Sequence, residues 1–487
     1  MKTKSDFTSK IKKSYKTRAF RAGSYSVFAG IFVVAIAVVI NLLAGALPNT
    51  ITQKDVTGTG LYTLSDQTRQ LVSALDADIT VYWVVQPTAE ETAVEKLLDN
   101  YKDLSKRITV RKIDPVEYPG FASKYTDEQV YNNTLIVENG DKFKVLGYYD
   151  IYQYNYKSDP YSAEGYSYDV SFAGEEALTS ALDYVTSTDL PVVYILTGHG
   201  ELALPESLTK LIKNENFVIN SDLSLLSAEA VPEDCDLLII NAPQSDISSD
   251  DKDKLLKYLQ GGGRLLLVTG VPENGVKLDN LSEVTSCYGA VQEDGIVIEG
   301  DEDYTIYNYN YYLLPDLDAS HEITAPLNEK NYRVLLPVSA GISVSDNLRE
   351  GLSVAKLLTT SDNSYSKPEG VSITTYDKEE GDKDGPFSLA LAISEGSTKI
   401  VWISCAMISD ENTNSSVSGA NFDFFINSLG WMTDKESSVS IRAKSMEKAT
   451  LTLTSGESLR MSLIIVGVLP VLTLGTGIYV FARRKRR

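Results

Sequence analysis

Histidine is scarce in this chain, with His199 and His321 the only two among 487 residues. His199 lies in PVVYILTGHGE, residues 191–201, where a β-branched run breaks into two glycines and a carboxylate follows the imidazole by two positions. Histidine and glutamate so close are a pair fit for general acid–base work. Cys405, in KIVWISCA (399–406), would complete a Cys–His–Glu set of the kind a cysteine amidotransferase uses. Two features argue against that chemistry. No G-x-C-x-G elbow surrounds any cysteine, and Cys405 ends an apolar strand, where a free cysteine behaves as a small buried hydrophobe. One histidine and one glutamate also fall short of a metal ligand set, and His321 belongs to an unrelated segment. Cys235, Cys287 and Cys405 are scattered without a CxxC, so neither a disulfide framework nor a zinc cluster is implied. The expectation is no catalytic residue, no metal and no cofactor, and a non-catalytic cleft or a tight turn at His199.

The elements that must position these residues read as an α/β alternation. VVYILTGHG, CDLLIINAP (235–243), RLLLVTG (264–270) and KIVWISCA are nearly all apolar, as strands covered on both faces must be. Helical stretches LPESLTKLIKNEN (204–216) and SSDDKDKLLKYLQGGG (248–263) separate them, which predicts an open parallel sheet. Ligands of such sheets sit at the carboxyl ends of the strands. Those ends carry Gly198-His199-Gly200-Glu201, Asn241-Ala242-Pro243, Thr269-Gly270 and Ser404-Cys405. The candidate ligand-binding set is therefore Gly198, His199, Gly200, Glu201, Asn241 and Thr269. Gly261-Gly262-Gly263 follows a helix and precedes a strand, the reverse of a phosphate loop, and reads as a helix stop. No GxxxxGK[ST] occurs in the sequence, so the chain carries no Walker ATP site of its own.

Upstream, LYTLSDQTRQLVSAL (61–75) reads as an amphipathic helix capped by Ser65. After it come a strand at 79–85, a helix at 93–105, a strand at 107–114, a short helix and a hairpin turning at Asn139-Gly140. That order is thioredoxin-like, without a cysteine to give redox chemistry. Segments 147–170 and 304–312 are dense in tyrosine, and Tyr307, Tyr309 and Tyr311 alternate as if along one strand face. Such residues suit an interface or ordinary cross-strand pairing.

Two stretches, 23–47 and 461–481, are uncharged, apolar and long enough to cross a bilayer. Basic tails flank both, which places both termini in the cytoplasm and the bulk outside a bacterial cell membrane. The formal net charge is −21, a poor match to nucleic acid. The expected organisation is a basic tail (1–22), a transmembrane helix (23–47), an extracytoplasmic thioredoxin-like domain (48–187), a GHGE-type α/β domain with β insertions (188–440), a connector (441–460), a second transmembrane helix (461–481) and a basic tail (482–487).

LYTLSDQTRQLVSALDADITVYWV, RKIDPVEYPGFASKY, FAGEEALTSALDYVTSTDLPVVYILTGHGE and FDFFINSLGWMTDKESSVSIRAKS, in that order before a basic-tailed apolar segment, resemble the GldG-like auxiliary components of ABC transporters, a family named for gliding motility. The resemblance implies a membrane subunit that associates with a separate permease and a separate ABC ATPase. It also implies an amidotransferase-like fold for the GHGE unit, whose nucleophile has no counterpart here, so no catalytic residue carries over. The expected function is a non-ATPase auxiliary subunit of an ABC exporter. Its outer part would engage substrate or, through the tyrosine-rich surfaces, a cell-envelope component. The rivals are a stand-alone envelope protein or sensor binding a glycan or peptide, and an amidase-like enzyme dependent on His199 or Cys405.

Overall fold

The computed structural model describes residues 30–36, 38–39, 60–158, 166–271, 276–307, 309–368, 372–434, 441, 443–446 and 469–485. It divides into two units. The larger holds Leu64–Gln153 and Ala173–Ala443 and carries four sheets, of which a four-stranded and a ten-stranded one matter most for the site.

The first sheet is built from β1 (Ile79–Val84), β2 (Ile108–Ile113), β3 (Thr134–Asn139) and β4 (Lys142–Leu146) in the order β2-β1-β3-β4. β1 runs parallel to β2 and antiparallel to β3, and Gly140, at φ +61°, makes the β3–β4 turn. Helices α1 (Asp66–Ser73), α2 (Thr92–Leu104) and α3 (Gly174–Thr186) accompany it. Ser65 caps α1 by accepting from Thr68 N at 3.2 Å, satisfying one of the helix's orphan donors. The buried Glu175 of α3 accepts from Ser65 N at 2.6 Å and from Thr68 Oγ1 at 2.8 Å, which ties α1 to α3.

The second sheet has ten strands. Its parallel part comprises β5 (Val192–Leu196), β6 (Val218–Leu223), β7 (Leu237–Asn241), β8 (Arg264–Val268) and β11 (Thr398–Ile403), ordered β6-β5-β7-β8-β11. Period-two alternation sorts their side chains into two cores. Val193, Ile239, Leu266, Val268 and Val401 pack with α4 (Glu206–Asn214) and α7 (Ala420–Met432). Leu238, Ile240, Leu265, Leu267 and Trp402 pack with α5 (Ser249–Gln260) and α6 (Asp279–Cys287). Burying one such side chain contributes about 1.5–3 kcal/mol, so cover on both faces accounts for uninterrupted apolar strands. Gly262, at φ +93°, ends α5, and a Cβ on Gly263 would meet the Tyr258 ring at 2.5 Å. The glycine run is thus a helix stop that lets the chain enter β8.

The sheet is mixed, which corrects the expectation of a parallel one. Beyond β11, β10 (Ser388–Glu395) pairs antiparallel through a turn at Gly396, φ +60°. β9 (Leu352–Thr359) and Ile342–Val344 pair antiparallel with β10, and Ala290–Gln292 with Ile342–Val344. A hairpin needs no crossover helix, and the antiparallel half follows from that short link.

Tyr307 also departs from the expected face. It stands at φ +60° between strands Thr305–Ile306 and Tyr309–Leu313, so it does not continue the alternation of Tyr309 and Tyr311.

The smaller unit holds Met1–Thr63, Tyr154–Phe172 and Lys444–Arg487. In it Tyr166–Phe172 pairs antiparallel with Lys444–Ser445. The expectation of two membrane-spanning helices is overturned: among the described residues no helix is long and apolar enough to cross a membrane. In the second expected span, helix is described over Leu469–Lys485, which includes Arg483, Arg484 and Lys485. The first expected span contributes 30–36 and 38–39, and the rest of both spans lies outside the described residues. The localisation built on those spans, with cytoplasmic termini and an extracytoplasmic bulk, falls with them.

Candidate functional site: two strand-end crevices

In the order β6-β5-β7-β8-β11 the chain leaves β5 for one side and returns for the other, so the topological switch lies between β5 and β7. This is where open α/β sheets bind ligands. The GHGE loop occupies it. Gly198 and Gly200 sit at φ +118° and +77°, angles that favour glycine. A Cβ would meet Leu226 Cδ1 at 3.1 Å from Gly198 and Gln244 Cβ at 3.1 Å from Gly200.

His199 is 3% exposed and lies between two carboxylates. Its Nδ1 is 3.1 Å from Glu201 Oε1 and its Nε2 is 3.2 Å from Asp251 Oδ2. Its backbone N donates to Glu201 Oε2 at 2.8 Å. Ionised carboxylates only accept, so both ring contacts are hydrogen bonds when the imidazole carries both protons. The carbonyl of His199 accepts from Gln244 N (3.0 Å), Ser245 N (2.9 Å) and Ser245 Oγ (3.0 Å). Asp251 is fixed by its place in the first turn of α5, where its N donates to the capping Ser248 Oγ at 3.0 Å. Lys254 Nζ stands 3.7 Å from its other oxygen.

Asn241, fully buried at the end of β7, staples the loop. Leu202 N donates to Asn241 O, and Asn241 Nδ2 donates to Leu202 O, both at 2.8 Å. The crevice at the switch point is therefore filled by the protein's own chain. Two buried acceptors in it, Asn241 Oδ1 and Asp251 Oδ1, have no hydrogen-bond donor among the described residues.

Thr269 lies elsewhere. Its N donates to Ile403 O at 2.8 Å, and its Oγ1 accepts from Trp402 Nε1 at 2.9 Å. It lines a cleft of ≈ 750 Å³, open solvent included, with Leu267, Leu281, Thr285, Gln292 and Trp402. Five of the six proposed residues thus belong to the filled crevice and one to the open cleft. The fourth strand end turns inward. Ser404 Oγ donates to Ala340 O at 2.6 Å, and Cys405 Sγ to Pro337 O at 3.0 Å. Burial pushes the Cys405 thiol up to about 12, the opposite of what a nucleophile needs. His321 accepts from Ile323 N at 3.2 Å and packs on Trp431. Among the described residues no group of three or more His, Cys, Asp or Glu could hold a metal ion.

Sequence reasoning missed Asp251. The Ser248-Ser249-Asp250-Asp251 run is a capping signature and could have placed it in a first helical turn, but nothing local shows that it reaches an imidazole 52 positions away.

Residues 190–295 match the family described as an ABC-type uncharacterized transport system, and residues 58–152 match a domain of unknown function (DUF7088). No curated protein is similar enough in sequence to count as a match. Among solved structures, the mmIFT52 N-terminal domain is 14% identical, with 50% of this chain and 97% of that one covered at a TM-score of 0.37. The cytoplasmic protein STM1381 from Salmonella typhimurium LT2 is 11% identical, with 50% and 98% covered at 0.27. The exo-beta-1,4-mannosidase Op5Man5 from Opitutaceae bacterium strain TAV5 is 10% identical, with 75% and 50% covered at 0.25. At such TM-scores these likenesses carry no argument. The transport-system match supports an auxiliary, transport-related role.

Proposed function

We propose that this chain is a GldG-like, non-ATPase auxiliary subunit of an ABC exporter, associating with a separate permease and a separate ATPase. The observation that carries the reading is the transport-system match over 190–295, the stretch that supplies the GHGE loop, α5 and much of the open cleft. The chemistry agrees. No Walker motif is present in the sequence, so energy must come from a partner. Cys405 is a buried, protonated thiol, so a cysteine amidotransferase mechanism has no nucleophile at this strand end. The strand order β2-β1-β3-β4 supports a thioredoxin-like reading of the first sheet, whose role is then recognition of substrate or of an envelope partner rather than redox exchange.

The test is affinity purification of the tagged 487-residue chain from detergent-extracted cells of its source. The proposal predicts co-recovery of a permease and an ABC ATPase in fixed ratio. Recovery of neither would count against it, as would turnover of an amide substrate that is lost in His199→Ala.

A further inference from the structure

Strand β4 forms one edge of the four-stranded sheet, paired with β3 and with no other described strand. The two-residue turn at Gly140-Asp141 makes Asn139 and Lys142 a hydrogen-bonded pair. Such pairs alternate along an antiparallel ladder, so Lys144 and Leu146 also bond to β3, while the N–H and C=O of Phe143 and Val145 point outward. Those outward groups have no hydrogen-bond partner among the described residues. The open run stops at Gly147, whose N donates to Asp150 Oδ2 at 3.0 Å.

A groove of ≈ 1180 Å³, open solvent included, runs along this edge. Its lining comes from both faces of β4, which places it at the edge rather than over one face. On one face Phe143, 40% exposed, packs edge-on against Tyr125 with ring centroids 5.2 Å apart. On the other, Lys144 Nζ lies 5.5 Å from the Tyr184 ring centroid and donates to Asn216 Oδ1 at 2.9 Å. Val218, 43% exposed at the start of β6, and Leu190 form the far wall. Open backbone groups beside reachable apolar side chains are what an added strand needs: the main chain supplies affinity, and alternate side chains supply choice.

Charge selects the strand. β4 reads KFKVL, with two lysines and no acid, and Lys213 adds an exposed ammonium with no ion pair among the described residues. Of the acids in the lining, Asp150 is held by Lys210 Nζ at 3.2 Å, and Glu128 belongs to the segment that follows Tyr125. A second copy pairing over Phe143 and Val145 about a two-fold axis would set Lys144 against Lys144, and like charges directly opposite are destabilising. A strand with acids opposite the lysines and apolar residues on the Phe143 face avoids that repulsion and gains opposite-charge pairs.

We infer that the free edge of β4 is a docking site for an extended peptide segment of a partner protein, alternating apolar and acidic residues, that adds a strand to this sheet. The inference deepens the recognition role proposed for the sheet. It concerns the purified chain alone, so its failure leaves the transporter role standing.

The experiment is fluorescence anisotropy of a labelled Val-Glu-Val-Glu-Val amide titrated with the purified 487-residue chain. Saturable binding is expected, with a Val-Lys-Val-Lys-Val peptide about fivefold or more weaker. N-methylation of alternate peptide amides should abolish binding for the set that faces β4 and spare it for the other. Val145→Pro removes one outward N–H, leaves the ladder to β3 intact and should lower the affinity about tenfold or more. Lys213→Glu should narrow the gap between the acidic and basic peptides. Thermal unfolding of each variant without peptide confirms that it is folded. Absence of saturable binding overturns the inference, as do equal affinities of the two peptides, of the two methylated forms, or of Val145→Pro and the parent chain.

Discussion

The two strand-end crevices of the parallel sheet differ in how they treat buried charge. At His199 two carboxylates share one imidazole, and the loop that carries it is stapled to β7 through Asn241. At Thr269 the strand end stays open, and Glu293 keeps one oxygen without a donor. Neither is fully satisfied, since Asn241 Oδ1 and Asp251 Oδ1 in the first, like Glu293 Oε2 in the second, have no hydrogen-bond donor among the described residues. What separates them is that the GHGE loop fills the first. Burial, a histidine and flanking glycines, the features that attract attention in a sequence, mark the filled one.

The largest expected effect breaks the filled side. His199→Ala leaves Glu201 and Asp251 buried without their shared hydrogen-bond partner, and each buried polar group so stranded costs about 1–3 kcal/mol. Urea unfolding should show it as a large fall in midpoint. Gly198→Ala and Gly200→Ala force a side chain into left-handed backbone against Leu226 and Gln244. Each should lose about 1–3 kcal/mol, read by the same unfolding curves.

Much of this was legible in the chain. The apolar strands, the Ser65 cap, the Asn139-Gly140 turn and the glycine stop at 261–263 all rest on local rules, and local rules are what a sequence displays. The strand-end placement of His199 followed from strand alternation, and its place at the switch point came only with the strand order. What failed was non-local. The antiparallel half of the second sheet is set by pairings such as Leu352 with Glu395, across a segment with no periodic signal of its own. Asp251 reaches His199 only because β7 and α5 fold beside the β5 end. Hydropathy over 23–47 and 461–481 suggests membrane spans, yet among the described residues no helix is long and apolar enough to cross a membrane.

Smaller effects sharpen the contrast between shared and unshared carboxylates. Glu176 has no imidazole; burial, reinforced by Asp423 and opposed by Asn214 and Lys210, pushes its carboxyl up to about 7. The unfolded chain releases this proton near the ordinary glutamate range, before the folded chain does. Stability from this group therefore falls as pH rises from about 4.5 to 7 and stays reduced above. Glu176→Gln should remove that decline and gain about 1 kcal/mol at pH 8, an amount discounted because the side chain keeps some contact with solvent. Iodoacetamide at pH 8 should label exposed Cys287 and spare buried Cys235 and Cys405, and mass spectrometry of the digested chain reads this directly. Thr269→Val, which takes the acceptor from Trp402 Nε1, should cost about 1 kcal/mol.

The most direct test of the filled crevice is residue-resolved hydrogen exchange on the free chain. The account predicts slow exchange at the amides of Leu202, Gln244 and Ser245, which are bonded across the GHGE loop, and fast exchange at Phe143 and Val145 on the open edge of β4. Leu202, Gln244 and Ser245 exchanging as fast as Phe143 and Val145 would contradict it.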